Sequence, residues 1–86
     1  MYIRVFPNPA GNYFIIEFDA KTVEENQSIL IKLIDNSGKQ MHVFRSNKSY
    51  DQILVRTGNL AAGAYLCELW VWKYLKASSK IILSKL

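Results

Sequence analysis

The 86 residues are enough for one domain, small enough that folding buries only about 60% of the surface of the unfolded chain. Half of them are hydrophobic and 21% are charged, a balance that excludes disorder and calls for a packed core. A formal charge of +4 allows acidic partners without selecting one, and the single cysteine, Cys67, excludes an internal disulfide. The opening MYIRVFPNP has no charged region followed by a long apolar run, so it does not read as a secretory signal. No stretch reaches the roughly 18 apolar residues of a membrane helix.

In chain order, Tyr2 to Phe6 alternates as a strand and runs into Pro7-Asn8-Pro9. Each proline fixes its own φ and drives the residue before it into extended conformations, so this is a stiff elbow suited to a strand crossing between two sheets. Tyr13 to Phe18 is the next strand, with Phe14, Ile16 and Phe18 inward and Glu17 outward. Asp19 to Gln27, with Glu24 beside Glu25, is polar and reads as a loop with room for one helical turn. Ser28 to Asp35 alternates again, with Ile29, Ile31 and Leu33 inward and Lys32 outward. Asp35-Asn36-Ser37-Gly38 is a hairpin turn opened by Asp and closed by a left-handed Gly. Lys39 to Arg45 runs back with Met41 and Val43 as its inner pair, and Ser46 to Ser49 turns the chain once more.

Asp51 to Trp72 is the stretch around which the rest is organised. Ile53 and Val55 alternate with Gln52 and Arg56, and the following GNLAAG holds one large apolar residue, Leu60, expected to plug the core. Gly58 and Gly63 are expected to supply backbone angles closed to other residues. Gly63 to Cys67 spell G-x-Y-x-C, the order in which immunoglobulin-like sandwiches place a tyrosine corner two residues before a core cysteine. The strand then continues through Trp72 to Tyr74, and Lys80 to Leu86 forms the last one. About seven strands without an extended amphipathic helical window predict an all-β fold, an immunoglobulin-like antiparallel β-sandwich.

No catalytic constellation is present. Cys67 and His42 are the one pair from which a thiol nucleophile and base could be assembled, but Cys67 falls on a central strand, where a small buried hydrophobe is the ordinary role. One histidine and one cysteine are too few for a zinc site, and neither metal nor cofactor is expected. The eleven basic residues are dispersed, which argues against nucleic acid, and Gly58 to Gly63 is followed by no helix or Lys-Ser that would make it a phosphate loop. A second functional reading is a carbohydrate-binding accessory module of a secreted enzyme. On it, Trp70, Trp72 and Tyr74 share one strand face, with Glu68 beside them, and stack on sugar rings.

The segments VFPNPAGNYFIIEF, LIDNSGKQM, ILVRTGNLAAGAYLCEL and KIILSKL, in this order, resemble the C-terminal sorting domain of the type IX (Por) secretion system of Bacteroidetes over nearly the whole chain. The family's opening box falls on Pro7, Asn8, Pro9 and Ala10, its D-x-x-G-K turn on Asp35, Gly38 and Lys39, and its L-x-x-G-x-Y box on Leu60, Gly63 and Tyr65. The resemblance implies a non-catalytic domain spanning residues 1–86 at the C-terminus of a larger secreted protein, whose cargo, signal peptide and cleavage region lie upstream. Such proteins pass through the periplasm, cross the outer membrane by a translocon, and are usually cut by a sortase-like peptidase, leaving the cargo released or anchored at the cell surface. Lys80, Ile81, Ile82, Leu83, Ser84, Lys85 and Leu86 are the candidate residues for translocon recognition, through a free strand edge or a charged patch. A free edge also allows a homodimer. Within the family's pattern, the segment Trp70 to Ser79 is unusually aromatic.

Overall fold

A computed structural model describes residues 1–20 and 28–84. Among them are seven strands: β1 (Tyr2–Phe6), β2 (Tyr13–Asp19), β3 (Ile29–Asp35), β4 (Gln40–Ser46), β5 (Tyr50–Arg56), β6 (Gly63–Val71) and β7 (Tyr74–Leu83). They form a three-stranded sheet in the order β1-β2-β5 and a four-stranded sheet in the order β4-β3-β6-β7, and every pairing is antiparallel. The β-sandwich read from period-2 alternation is therefore what forms. Phe14, Ile16 and Phe18 on β2 face Ile31 and Leu33 on β3 and Cys67 and Leu69 on β6, all at 0% exposure. Burying each large side chain contributes roughly 1.5–3 kcal/mol, so these central strands carry most of the driving force.

Leu60, 3% exposed, closes the core below the β5–β6 corner as expected. Of the two glycines credited with special angles there, Gly63 has a φ of 144°, whereas Gly58 does not have a positive φ. Gly38 (φ 88°) ends the β3–β4 turn, with its N–H donating to the Asp35 carbonyl at 3.0 Å. The Asp35 carboxylate accepts from the Ser37 N–H and hydroxyl and from the Lys39 N–H, at 2.9, 2.7 and 2.9 Å. These bonds, the Ser37 hydroxyl first, hold the Asp35 carboxyl below its ordinary 3.8.

Three local expectations are corrected. On β4 the inner pair is Met41 and Phe44, both packed on the core, while Val43 is 36% exposed. A register shift between Leu33 and Ile34 leaves Met41 without a cross-strand partner, so the bulge changes the phase of the alternation beyond it. Glu17 turns to the outer face of its sheet as expected, where its neighbours leave it only 7% exposed. The Pro7–Asn12 segment does not carry a strand into the other sheet. It reaches across to form one parallel bridge, Ala10 with Leu83, and returns so that β2 pairs with β1. Finally, the strand expected to run through Trp72 to Tyr74 ends at Val71, and the last strand begins at Tyr74, six residues before the expected Lys80. Of the expected polar loop, Asp19 closes β2 and the Ala20 N–H donates to the Ser49 carbonyl at 2.6 Å, while residues 21–27 lie outside the described residues.

The sandwich has two distinct ends. One gathers the start of β1, the β4–β5 turn and the Trp72-Lys73 hairpin. The other gathers Pro7–Asn12, the β3–β4 turn, the Thr57–Gly63 corner and the end of β7.

Candidate functional site

The second end is where the sequence boxes meet. Asn8 lies alongside the outer edge of β7 and uses its carboxamide as a short piece of strand, donating from Nδ2 to the Lys80 carbonyl at 2.9 Å and accepting at Oδ1 from the Ile82 N–H at 3.0 Å. Ala10 continues the pairing through its backbone. Its N–H donates to the Ile82 carbonyl and its carbonyl accepts from the Ser84 N–H, both at 2.8 Å. The two prolines on either side of Asn8 have no N–H of their own to satisfy, which suits a segment lying along an edge. The edge of the terminal strand from Lys80 to Ser84, expected to be free for a partner, is therefore already occupied. Lys85 and Leu86 lie outside the described residues.

Next to this latch is the tyrosine corner. The Tyr65 hydroxyl donates to the Ala61 carbonyl at 2.6 Å, tying the start of β6 to the chain that precedes it. At the root of the corner Thr57 is 1% exposed and donates from its hydroxyl to the Gly11 carbonyl at 2.6 Å, joining the corner to the segment that carries the Asn8 latch. An open groove of about 300 Å³ runs beside it, lined by Asp35, Asn36, Ala64, Tyr65, Leu66 and Lys80. Three separate boxes thus contribute to one depression: the turn gives Asp35, the corner gives Tyr65 and the terminal strand gives Lys80. Of the terminal strand, Ile81 and Leu83 belong to the core, at 0% and 2% exposure, while Ile82 is 37% exposed and Lys80 points outward with it.

Residues 4–84 match the family model described as a secretion system C-terminal sorting domain. The chain belongs to this family. No curated protein sequence matches it at a significant level. The sorting domain is a type IX secretion signal, of a family that is non-catalytic, and its presence means a secreted protein destined for the cell surface or the extracellular space and handled by the secretion machinery.

The other chemical candidates separate in space. Cys67 is fully buried on β6, and burial pushes its thiol up to about 12. It pairs with Leu33, which on its other side pairs with His42 on β4, so two strand spacings, about 10 Å, divide the thiol from the exposed imidazole. No thiolate-imidazole pair forms. Trp70, Trp72 and Tyr74 do not share a strand face either. Trp70 is on β6, where its Nε1 donates to Glu68 at 3.0 Å and the Lys32 ammonium covers its ring at 4.2 Å. Trp72 is in the hairpin, and Tyr74 opens β7 with its ring edge-on to Trp72 at 5.7 Å and 73°. Such crossed rings offer no continuous stacking platform for a sugar chain.

Sequence reasoning missed the network around Glu17. On the outer face of the three-stranded sheet its carboxylate accepts from Gln52 at 2.7 Å, Tyr2 at 3.1 Å and Tyr50 at 3.2 Å, and pairs with Arg4 at 3.0 Å. The Gln52 bond first, then the two tyrosine hydroxyls and the Arg4 charge, hold the carboxyl below its ordinary 4.5. The cross-strand row Arg4–Glu17–Gln52 was recoverable only once the strands' register was known.

Proposed function

We propose that this sorting domain is read by the outer-membrane translocon through the outward side chains of its terminal strand and not through that strand's backbone edge. The occupation of the Lys80–Ser84 edge by Asn8 and Ala10 supports this reading, because it leaves Lys80 and Ile82, with Leu66 and the adjoining groove, as the accessible part of the strand. Lys85 and Leu86 extend the same basic terminus. In this reading residues 1–86 are one domain at the end of a larger protein. That protein crosses the periplasm, passes the translocon and is cut by a sortase-like peptidase, with its cargo released or anchored outside. Any enzymatic activity belongs to the cargo. Self-association, if it occurs through strand edges, uses an edge other than the latched part of β7.

The test is a reporter carried to the periplasm by its own signal and fused ahead of this chain, followed in a type IX-competent strain and in one lacking the translocon. Export of the parent fusion only in the competent strain is the expected result. Lys80→Glu with Ile82→Ser changes outward side chains while sparing Ile81 and Leu83, so the domain folds, and export is expected to fail. Undiminished export of that variant would refute side-chain reading of the terminal strand. Parent fusion retained in the periplasm of both strains would refute the sorting function of this chain.

A further inference from the structure

The hairpin at the opposite end, between β6 and β7, is unlike any turn the fold requires. A two-residue loop closing a hairpin favours Gly or Asn at a positive φ. Here Trp72 takes that position, with a φ of 57° and 57% of its surface exposed. A bulky aromatic residue at a left-handed angle is strained, and the strain earns no burial in return. Tyr74 and Leu75 follow, 51% and 48% exposed, and the β6–β7 register shift leaves Lys76 without a cross-strand partner. The result is an apolar tip with Lys73 at 4.6 Å from the Trp72 ring centre and Lys76 at 5.4 Å from that of Tyr74. The Trp72 N–H donates to the Ser28 carbonyl at 2.9 Å, tying the turn to the chain just before β3.

The ammonium groups beside the exposed rings favour an anionic occupant. Glu68 is the last acidic residue of the sequence, so the whole stretch beyond it carries lysines alone. An exposed Trp and Tyr beside a Leu, flanked by ammonium groups on flexible stems, match the boundary between acyl chains and anionic headgroups. There the rings sit at headgroup depth and lysine stems extend their charges to the phosphates. A flat sugar platform is not offered, since the two rings cross at 73°. We infer that the Trp72–Lys76 hairpin tip is a docking element for an anionic lipid surface, separate from the end that carries the sorting boxes.

The 86-residue chain, in a Trp70→Phe background so that Trp72 alone reports, is mixed with vesicles of phosphatidylcholine alone or with about a third phosphatidylglycerol. Sedimentation with the anionic vesicles, a blue shift of Trp72 emission and weakening by salt are expected. Lys73→Ser with Lys76→Ser is expected to weaken the partition about thirtyfold, two basic residues' worth at an anionic surface. Trp72→Gly relieves the backbone strain, so the variant folds, and it is expected to lose the partition by at least a comparable factor. Equal binding to both vesicles, or binding unchanged by Trp72→Gly, would overturn the inference. Equal binding to soluble dextran sulfate without a blue shift would also overturn it, leaving charge alone.

Discussion

Replacing Asn8 with Ala removes the two side-chain bonds that pair it with the Lys80 carbonyl and the Ile82 N–H, at 2.9 and 3.0 Å, while the two Ala10 backbone bonds remain. Each hydrogen bond contributes a net of roughly 0.5–1.5 kcal/mol, and at an exposed edge water replaces part of what is lost. The expected cost is therefore near the lower end for two bonds, about 1–2 kcal/mol. At 4–8 °C per kcal/mol for a domain of this size, that is a fall in Tm of roughly 4–16 °C. Urea denaturation should show a lower midpoint at unchanged slope, because the surface buried by the core is untouched. Amide exchange supplies the local readout. The Ile82 N–H should lose protection out of proportion to the global change, whereas the Ser84 N–H, bonded to Ala10, should follow the global change alone. Unchanged stability together with unchanged Ile82 exchange would refute the latch.

Tyr65→Phe leaves the Ala61 carbonyl without its 2.6 Å partner and should cost roughly 1–3 kcal/mol by thermal denaturation, with the fold retained. The folded-state pKa of Glu17 lies below the ordinary 4.5, so its contribution is present above that value and is lost as pH falls through the folded pKa. Acid titration of stability should therefore decline below about pH 4.5, and Glu17→Gln should flatten that decline. Asp35, depressed from 3.8, adds a loss that begins below about pH 3.8 and is removed in Asp35→Asn. With its thiol pushed up to about 12 and fully buried, Cys67 should react with iodoacetamide only from an opened state, so where reclosing outpaces alkylation any variant that destabilises the sandwich should speed labelling in step with its loss of stability.

Much of this fold is legible wherever one sheet face is apolar and the other is not. Phe14-Ile16-Phe18 and Ile29-Ile31-Leu33 alternate without interruption, so period 2 assigns both the strands and their inner faces correctly. It fails at β4 because one unpaired residue, Met41, reverses the faces beyond it, and composition carries no mark of a bulge. It fails again at Trp72, because a turn position filled by tryptophan in place of Gly or Asn looks like a continuation of the strand. The boxes that identify the family are legible as punctuation, but their meeting is not. Asn8 and Ile82 are 74 residues apart, and only the closed sandwich brings them within 3.0 Å.

That separation bears on what a folded sorting signal is. The terminal strand has β6 on one side, and on the other, between Lys80 and Ser84, it has the box that opens the domain. β6 is its hairpin neighbour, but the opening box comes from the far end of the sequence. A chain lacking its first ten residues keeps the β6 pairing of the terminal strand but loses the Asn8 and Ala10 bonds that cover its outer edge, so the latched form of the strand requires both ends of the domain. Weakening that closure by its two side-chain bonds, as Asn8→Ala does, separates a signal carried by the shape of the domain from one carried by the terminal residues alone. If export of the reporter falls with Asn8→Ala as latch protection at Ile82 falls, the shape is what is read. If export is indifferent to the latch and still lost in Lys80→Glu with Ile82→Ser, the terminal side chains suffice.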